Sequence, residues 1–273
     1  MNAIFCVAQK ELKDGFRNRW IVAITLIFAL LASGIAWFGA AASGVIGFTS
    51  IANTIASLAS LAVFIIPLIA LLLAYNAIVG EDEEGTLMLL LTYPLSKAEI
   101  LMGKLLGHGL ILSISTVVGF GIAALTIILF AEGVDVAALV KSFSLFILSS
   151  ILLGMVFLCI AYLISATVVE KSKAAGIALI TWFFFVLVFD LGLLGLLVAT
   201  AGKLQPDALP YLMLLNPTDL FRLLNMMGFE GGTSLMTIAA DLNLGYSALF
   251  GVMLLWVVVP FMGAYLMFIR RPV

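Results

Sequence analysis

The chain has 273 residues, is 64% hydrophobic and only 10% charged, with a mean hydropathy of +1.27 and a formal net charge of −2. Soluble domains are about 45–50% apolar and about 25% charged, so composition excludes an ordinary soluble domain and indicates a polytopic membrane protein. The net charge points to no nucleic-acid partner, and Cys6 and Cys159 stand alone, without CxxC or metal-ligand spacing, which excludes a disulfide framework.

Residues 1–19 carry a helical pattern. Ile4, Phe5, Ala8, Leu12 and Phe16 fall on one side, and Lys10, Lys13, Asp14 and Arg17 on the other. Such a helix is expected to lie in the membrane interface, its cations near anionic headgroups. The first long apolar run begins only after "KELKDGFRNRW" and is too long for a signal-peptide core, so no cleavable leader is expected.

A spanning helix needs about 20 mostly apolar residues. Six segments qualify, at about 20–42, 52–79, 104–130, 140–168, 175–200 and 246–269. Pro67 and Pro260 fall inside the second and sixth and predict kinks, which neighbouring helices absorb. The fold class is therefore an all-α, six-span membrane protein, and 1–273 reads as a single transmembrane domain. Lys and Arg placement sets orientation. Ten cations (Lys10, Lys13, Arg17, Arg19, Lys97, Lys104, Lys171, Lys173, Arg270 and Arg271) lie on one side. Lys141, Lys203 and Arg222 lie on the other. Both termini are thus expected in the cytoplasm, together with the 80–97 loop and the short "VEKSKA" turn at 169–174. The 201–245 loop is expected outside.

The 80–97 loop is unusual. Glu81, Asp82, Glu83 and Glu84 are followed by Gly85 and Thr86, then by an apolar run that includes Leu87, Leu89, Leu90, Leu91 and Tyr93, then by Pro94. About two turns of helix are predicted after Gly85, broken at Pro94. "SKAE" then reads as a capping box, Ser96 capping and Glu99 reaching back, so a new helix starts near 97 and runs into the third span. The apolar side chains of the short helix are too many for water alone. The four acids repel one another and require cations, from a partner or from the basic amino-terminal helix.

Two polar residues within spans stand out. His108 sits a turn inside the third and is expected to be a bundle-interior hydrogen bonder. Asp190 lies mid-span in "TWFFFVLVFDLGLLGLLV", where a charge costs about 2.5–3.5 kcal/mol on insertion scales, so it must face the bundle, a vestibule or a second copy. Outside, "LLNPTDLFRLLNMMGFE" reads as a helix capped by Asn216, with Pro217 at its first position and Asp219 favouring the positive end. Phe221 and Leu223 belong to its apolar side and Arg222 to a polar edge, which suggests a contact site for an external protein. Met213, Met226, Met227 and Met236 invite a copper–thioether reading, but without histidines or regular spacing no metal site is assigned.

Enzymatic chemistry has no visible constellation. "MGKLL" and "TAGKL" lack the upstream glycine and the hydroxyl residue of a phosphate-binding loop, and no HExxH, GxSxG or dinucleotide fingerprint occurs. No cofactor is expected in this chain.

"EEGTLMLLLTYPLSKAEILMGK", at Glu84, Gly85, Thr86, Leu90, Pro94, Ser96, Lys97, Ile100 and Lys104, resembles the type-2 permease family of ABC transporters. The resemblance covers the whole chain. It implies that the acidic loop, with Glu170 and Lys171 of the neighbouring turn, couples to a separate ATPase subunit that holds ATP and Mg, in a bacterial inner membrane. "GFTSIANTIASLASL", "VLVFDLGLLGLLV" and "LLNPTDLFRL" resemble, more narrowly, the branch that serves copper-site maturation of nitrous oxide reductase. That branch implies a second copy of the chain, two ATPase subunits and a periplasmic protein, with either solute transport or mechanical signalling as output. The rival readings are an ion-driven carrier that uses Asp190 and His108, and a passive scaffold.

Overall fold

In the computed structural model the described residues are 3–17, 19–38, 48–200, 208–226 and 245–271, and every regular element among them is helical. The helices are α1 (Ala3–Arg17), α2 (Arg19–Phe38), α3 (Ile51–Ala74), α4 (Val79–Glu83), α5 (Thr86–Thr92), α6 (Lys97–Phe130) and α7 (Val136–Thr167). They continue with α8 (Lys171–Phe183), a π turn (Phe184–Val188), α9 (Phe189–Ala199), α10 (Ala208–Met213), α11 (Pro217–Met226) and α12 (Tyr246–Arg270). Five continuous segments are long and apolar enough to cross a membrane: Ile51–Glu83, Lys97–Phe130, Val136–Thr167, Lys171–Ala199 and Tyr246–Arg270. The 20-residue α2 adds a shorter apolar stretch, Thr25–Phe38.

Helix starts follow local chemistry. Ser50 Oγ accepts from the Asn53 amide to begin α3, and Asp135 Oδ1 accepts from the amides of Ala137 and Ala138 to begin α7. At α6 the box is complete: Ser96 Oγ accepts from the Glu99 amide, and Glu99 Oε2 accepts from the Ser96 amide.

Helix α7 is central, and α3, α6, α11 and α12 all pack on it. Of its most apolar window 67% is buried, against 11% for the α8–α9 segment, so α7 is the hub and α8–α9 lines the periphery. Because lipid is as apolar as leucine, helices associate in a membrane through close packing and polar contacts. The packing includes an aromatic chain, Phe28–Phe120–Phe146–Phe221, with centroids 4.8, 4.5 and 5.9 Å apart, joining α2, α6, α7 and α11.

Three points refine the expectations. The second span, expected at about 52–79, is helical from Ile51 to Ala74 and continues through a turn at 75–78 into α4, where Ser165 Oγ of α7 accepts from the Ile78 and Val79 amides (3.0 and 3.1 Å). The fifth contains the π turn, for which the sequence gives no marker. Helix α11, expected to expose an apolar face, buries Leu220, Phe221, Leu223 and Leu224 against α3, α7 and α12. Met227 and Met236 lie outside the described residues.

Candidate functional site

The acidic turn is held from behind by several parts of its own chain. Glu81 Oε1 accepts from Lys104 Nζ at 2.8 Å and from Lys10 Nζ at 3.3 Å. Asp82 Oδ2 accepts from Arg271, Nη2 at 2.6 Å and Nε at 3.0 Å, while Arg271 Nη1 also donates to the Ser165 carbonyl. Glu83 Oε1 accepts from the Lys171 amide at 2.6 Å, and so satisfies a first-turn donor of α8, where a negative charge is favoured. Glu84 lies 3.9 Å from Lys171 Nζ and is exposed. Lys173 pairs with the exposed Glu170 at 2.7 Å. The turn is thereby fastened to α1, α6, α7 and α8 and to the residue after α12. Of the cations the acids require, the amino-terminal helix supplies one, Lys10.

Lys104 is the node of this end. Its side chain is 4% exposed, and it donates to both Glu81 and Glu11 Oε1, the latter at 2.9 Å. Glu11 Oε2 lies 3.4 Å from His108 Nε2, and His108 Nδ1 is 2.6 Å from the buried Tyr162 hydroxyl. Burial works against the Glu11 charge, but the His108 contact and Lys104 together hold its carboxyl well below the usual range. Burial likewise works against Lys10, yet Glu11 and Glu81 raise its pKa.

Two glycines place α1 here. A Cβ at Gly103 would stand 2.6 Å from Val7 Cβ, and one at Gly107 would stand 2.5 Å from Glu11 Cβ. "GKLLG" at 103–107 is a small-xxx-small pair that lets the α1 backbone lie directly on α6.

Beyond the acids, Gly85 takes φ +70°, a left-handed turn that suits glycine, and starts α5. Leu87 is buried and Leu90 and Leu91 pack on the core. Met88, Leu89 and Tyr93 are 60%, 64% and 65% exposed, beside exposed Glu83, Glu84, Thr86 and Pro94. The chain therefore ends here in an apolar patch with an acidic edge. Behind it, Lys97 Nζ donates to the carbonyls of Phe268, Ile269 and Arg271, which closes the end of α12.

A second polar network lies away from this end. Arg222 Nη1 donates to Asp190 Oδ2 at 2.7 Å and to Asp219 Oδ1 at 2.9 Å. Asn216 Oδ1 accepts from the Thr218 amide and caps α11. Asn216 Nδ2 and Thr218 Oγ1 both donate to the Phe185 carbonyl in the π turn (3.0 and 3.2 Å). Burial and the neighbouring Asp190 push the Asp219 carboxyl up to about 7, Arg222 notwithstanding. Asp219 and Arg222 thus face inward and pair with Asp190, instead of forming the rim of an external face. Asp190 and His108, considered together as carrier groups, belong to separate networks.

Sequence reasoning singled out the acids, His108, Asp190 and Arg222 but missed Glu11, Tyr162 and Ser165. The "GKLLG" pair facing an amphipathic helix was a usable signal for Glu11. Nothing local marks Tyr162 or Ser165. Among the described residues no group of three or more His, Cys, Asp or Glu could hold a metal ion.

Residues 5–273 match the family described as ABC-2 family transporter protein. The chain is 59% identical over 274 residues to the probable ABC transporter permease protein NosY of Stutzerimonas stutzeri, with 99% of each chain covered. It is 55% identical over 275 residues to the protein of the same description from Pseudomonas aeruginosa, with all of each chain covered.

Proposed function

We propose, because this chain belongs to the ABC-2 family of transporter proteins, that its acidic turn and α5 receive the ATPase subunit that powers it. The chain is a permease, the multi-pass component of an ABC transporter in the bacterial inner membrane, and ATP hydrolysis belongs to a separate subunit. The observation that carries the docking site is the patch of Met88, Leu89 and Tyr93 beside Glu83 and Glu84, on an end fastened to four helices and to the residue after α12. An exposed apolar patch on a charged rim suits a protein contact. A docked subunit would push on a turn that cannot move without pulling on the helices behind it. Ten of thirteen Lys and Arg residues lie at this end, which supports placing it, with both termini, in the cytoplasm.

A single chain offers one such patch, and the paired ATPase subunits of this transporter class need two, so the working unit is a homodimer. The resemblance to the nitrous oxide reductase branch supports a role in assembly of that enzyme's copper site, with a periplasmic protein as the opposite partner. The force delivered there is spent on moving a solute or on mechanical signalling to that protein. ATP and Mg bind in the ATPase.

Co-purification of the ATPase subunit with the full chain tests the docking site. Leu89→Asp and Tyr93→Asp alter exposed side chains and should abolish capture while the permease itself is recovered in normal yield. Capture equal to wild type by both variants would overturn the assignment.

A further inference from the structure

We infer that Asp190, Asp219 and Arg222 form a proton-sensitive latch between the fifth span and α11, closed while the two carboxyls hold one proton and released when both are ionised. A single nitrogen serves both acids: Arg222 Nη1 donates to Asp190 Oδ2 at 2.7 Å and to Asp219 Oδ1 at 2.9 Å. Asp219 is the inner member. Its side chain is 3% exposed, and its other oxygen, Oδ2, accepts from Asn216 Nδ2 at 3.1 Å. The side chains of Arg222 and Asp190 are 22% and 34% exposed, which gives a proton a route in and out. One cation does not compensate two carboxylates in apolar surroundings. The second carboxylate either takes up a proton or moves away. Burial and then the neighbouring Asp190 push the Asp219 carboxyl up to about 7, so this choice falls in the ordinary range of pH.

The joint is built to part at one place. Asn216 Nδ2 and Thr218 Oγ1 both end on the Phe185 carbonyl, which lies in the π turn, a helix irregularity that recurs at functional sites. Helix α11 is anchored on α3, α7 and α12, whereas the fifth span has only 11% of its most apolar window buried. Release would therefore free the span while α11 stays on the bundle. Asp219 is faced by Asp190 from α9 and by Arg222 from its own helix. Of the other helices packed on α11, α3 carries no charged or titratable side chain. Lys141, Cys159 and Tyr162 of α7, and Tyr265 and Arg270 of α12, make no hydrogen bond or ion pair with Asp219 among the described residues. With Asp219 neutral, Arg222 balances Asp190 alone and the latch holds. With Asp219 ionised, the acids outnumber the cation and repel each other. The protonation of one carboxyl thus sets how firmly the fifth span is held, wherever the ATPase docks.

The test uses a natural reporter. Trp256 Nε1 donates to the Leu214 carbonyl at 3.1 Å, just before α11, and the Trp256 ring stands edge-on to Phe185 with centroids 5.7 Å apart. The difference in emission between the full chain and its Trp256→Phe variant, in detergent micelles, isolates this residue. Between pH 6 and pH 8 the Trp256 emission should move to longer wavelength as the latch opens, with a midpoint near that of Asp219. Asp219→Asn, which is isosteric and cannot ionise, should hold the emission of the low-pH form throughout. Asp190→Asn removes the like charge beside Asp219 and should move the midpoint to lower pH, by about one pH unit. A purely structural role for the three residues would not move a midpoint. No emission change in the wild type between pH 6 and pH 8 overturns the latch, and so does a full change in Asp219→Asn or an unmoved midpoint in Asp190→Asn. The wild-type titration decides on its own where a variant is poorly recovered.

Discussion

Replacing Lys104 with methionine should be the most damaging single change at the charged end. The side chain is about the same length, so packing is nearly kept and the loss is electrostatic. One cation serves two carboxylates, Glu11 at 2.9 Å and Glu81 at 2.8 Å, all largely buried. Breaking a buried ion pair by removing one partner costs about 3–5 kcal/mol, because the remaining charge is left uncompensated. Lys10 lies 3.3 Å from Glu81 and 3.6 Å from Glu11 and offsets part of the loss, so the lower end of that range, about 3 kcal/mol, is expected. Lys173→Ala is the control. Its pair with Glu170 is as short, 2.7 Å, but the side chains are 65% and 54% exposed, and exposed helical pairs contribute about 0.5 kcal/mol or less. Unfolding of the purified chain in mixed detergent micelles, followed by tryptophan fluorescence, gives both values. Adding Glu81→Gln to Lys104→Met should recover part of the loss, and the cycle of single and double variants isolates the coupling. If Lys104→Met and Lys173→Ala were equally mild, the node would hold nothing together.

Gly103→Val should lift α1, since its Cβ would meet Val7 and the Ile4 carbonyl oxygen at under 3 Å; limited proteolysis after Lys10 and Lys13 should quicken, while Gly34→Ala, with nothing within 4 Å, should not change it. The raised Asp219 pKa predicts a pH dependence. Between its ordinary value of 3.8 and about 7 the folded carboxyl holds a proton that the unfolded chain has released, so its contribution to stability falls as pH rises through that window. Asp219→Asn should flatten the melting temperature against pH there, and an unchanged slope would remove Asp219 as its source.

The turn between α3 and α6 was legible because its signals are local. Four acids, a glycine, an apolar run, a proline and a capping box occur in order, and the structure builds α4, the left-handed Gly85, α5, the Pro94 break and α6 from them. What was not legible depends on residues far apart in sequence. Glu11 meets Lys104 across 93 positions, and Arg271 meets Asp82 across 189. Asp190 and Arg222 were each noticed, one as a costly charge in a span and the other as a polar edge. Their pairing needed the observation that opposite charges in apolar surroundings seek each other. Helix α11 misled because an apolar face looks the same whether a partner or the chain's own bundle covers it.

The π turn at Phe184–Val188 sets a length that cannot be trimmed. Such a turn is an α-helix carrying one extra residue. A natural deletion of one residue within it would restore regular α-helix and swing α9 by about 100° relative to α8. Asp190 would rotate off Arg222 into lipid, and the Asn216 and Thr218 donors would face a carbonyl already engaged in its own helix. Relatives that lack the extra residue should therefore also lack the acid at this position, the asparagine that opens α11, or both. Length and composition in the two segments are expected to vary together.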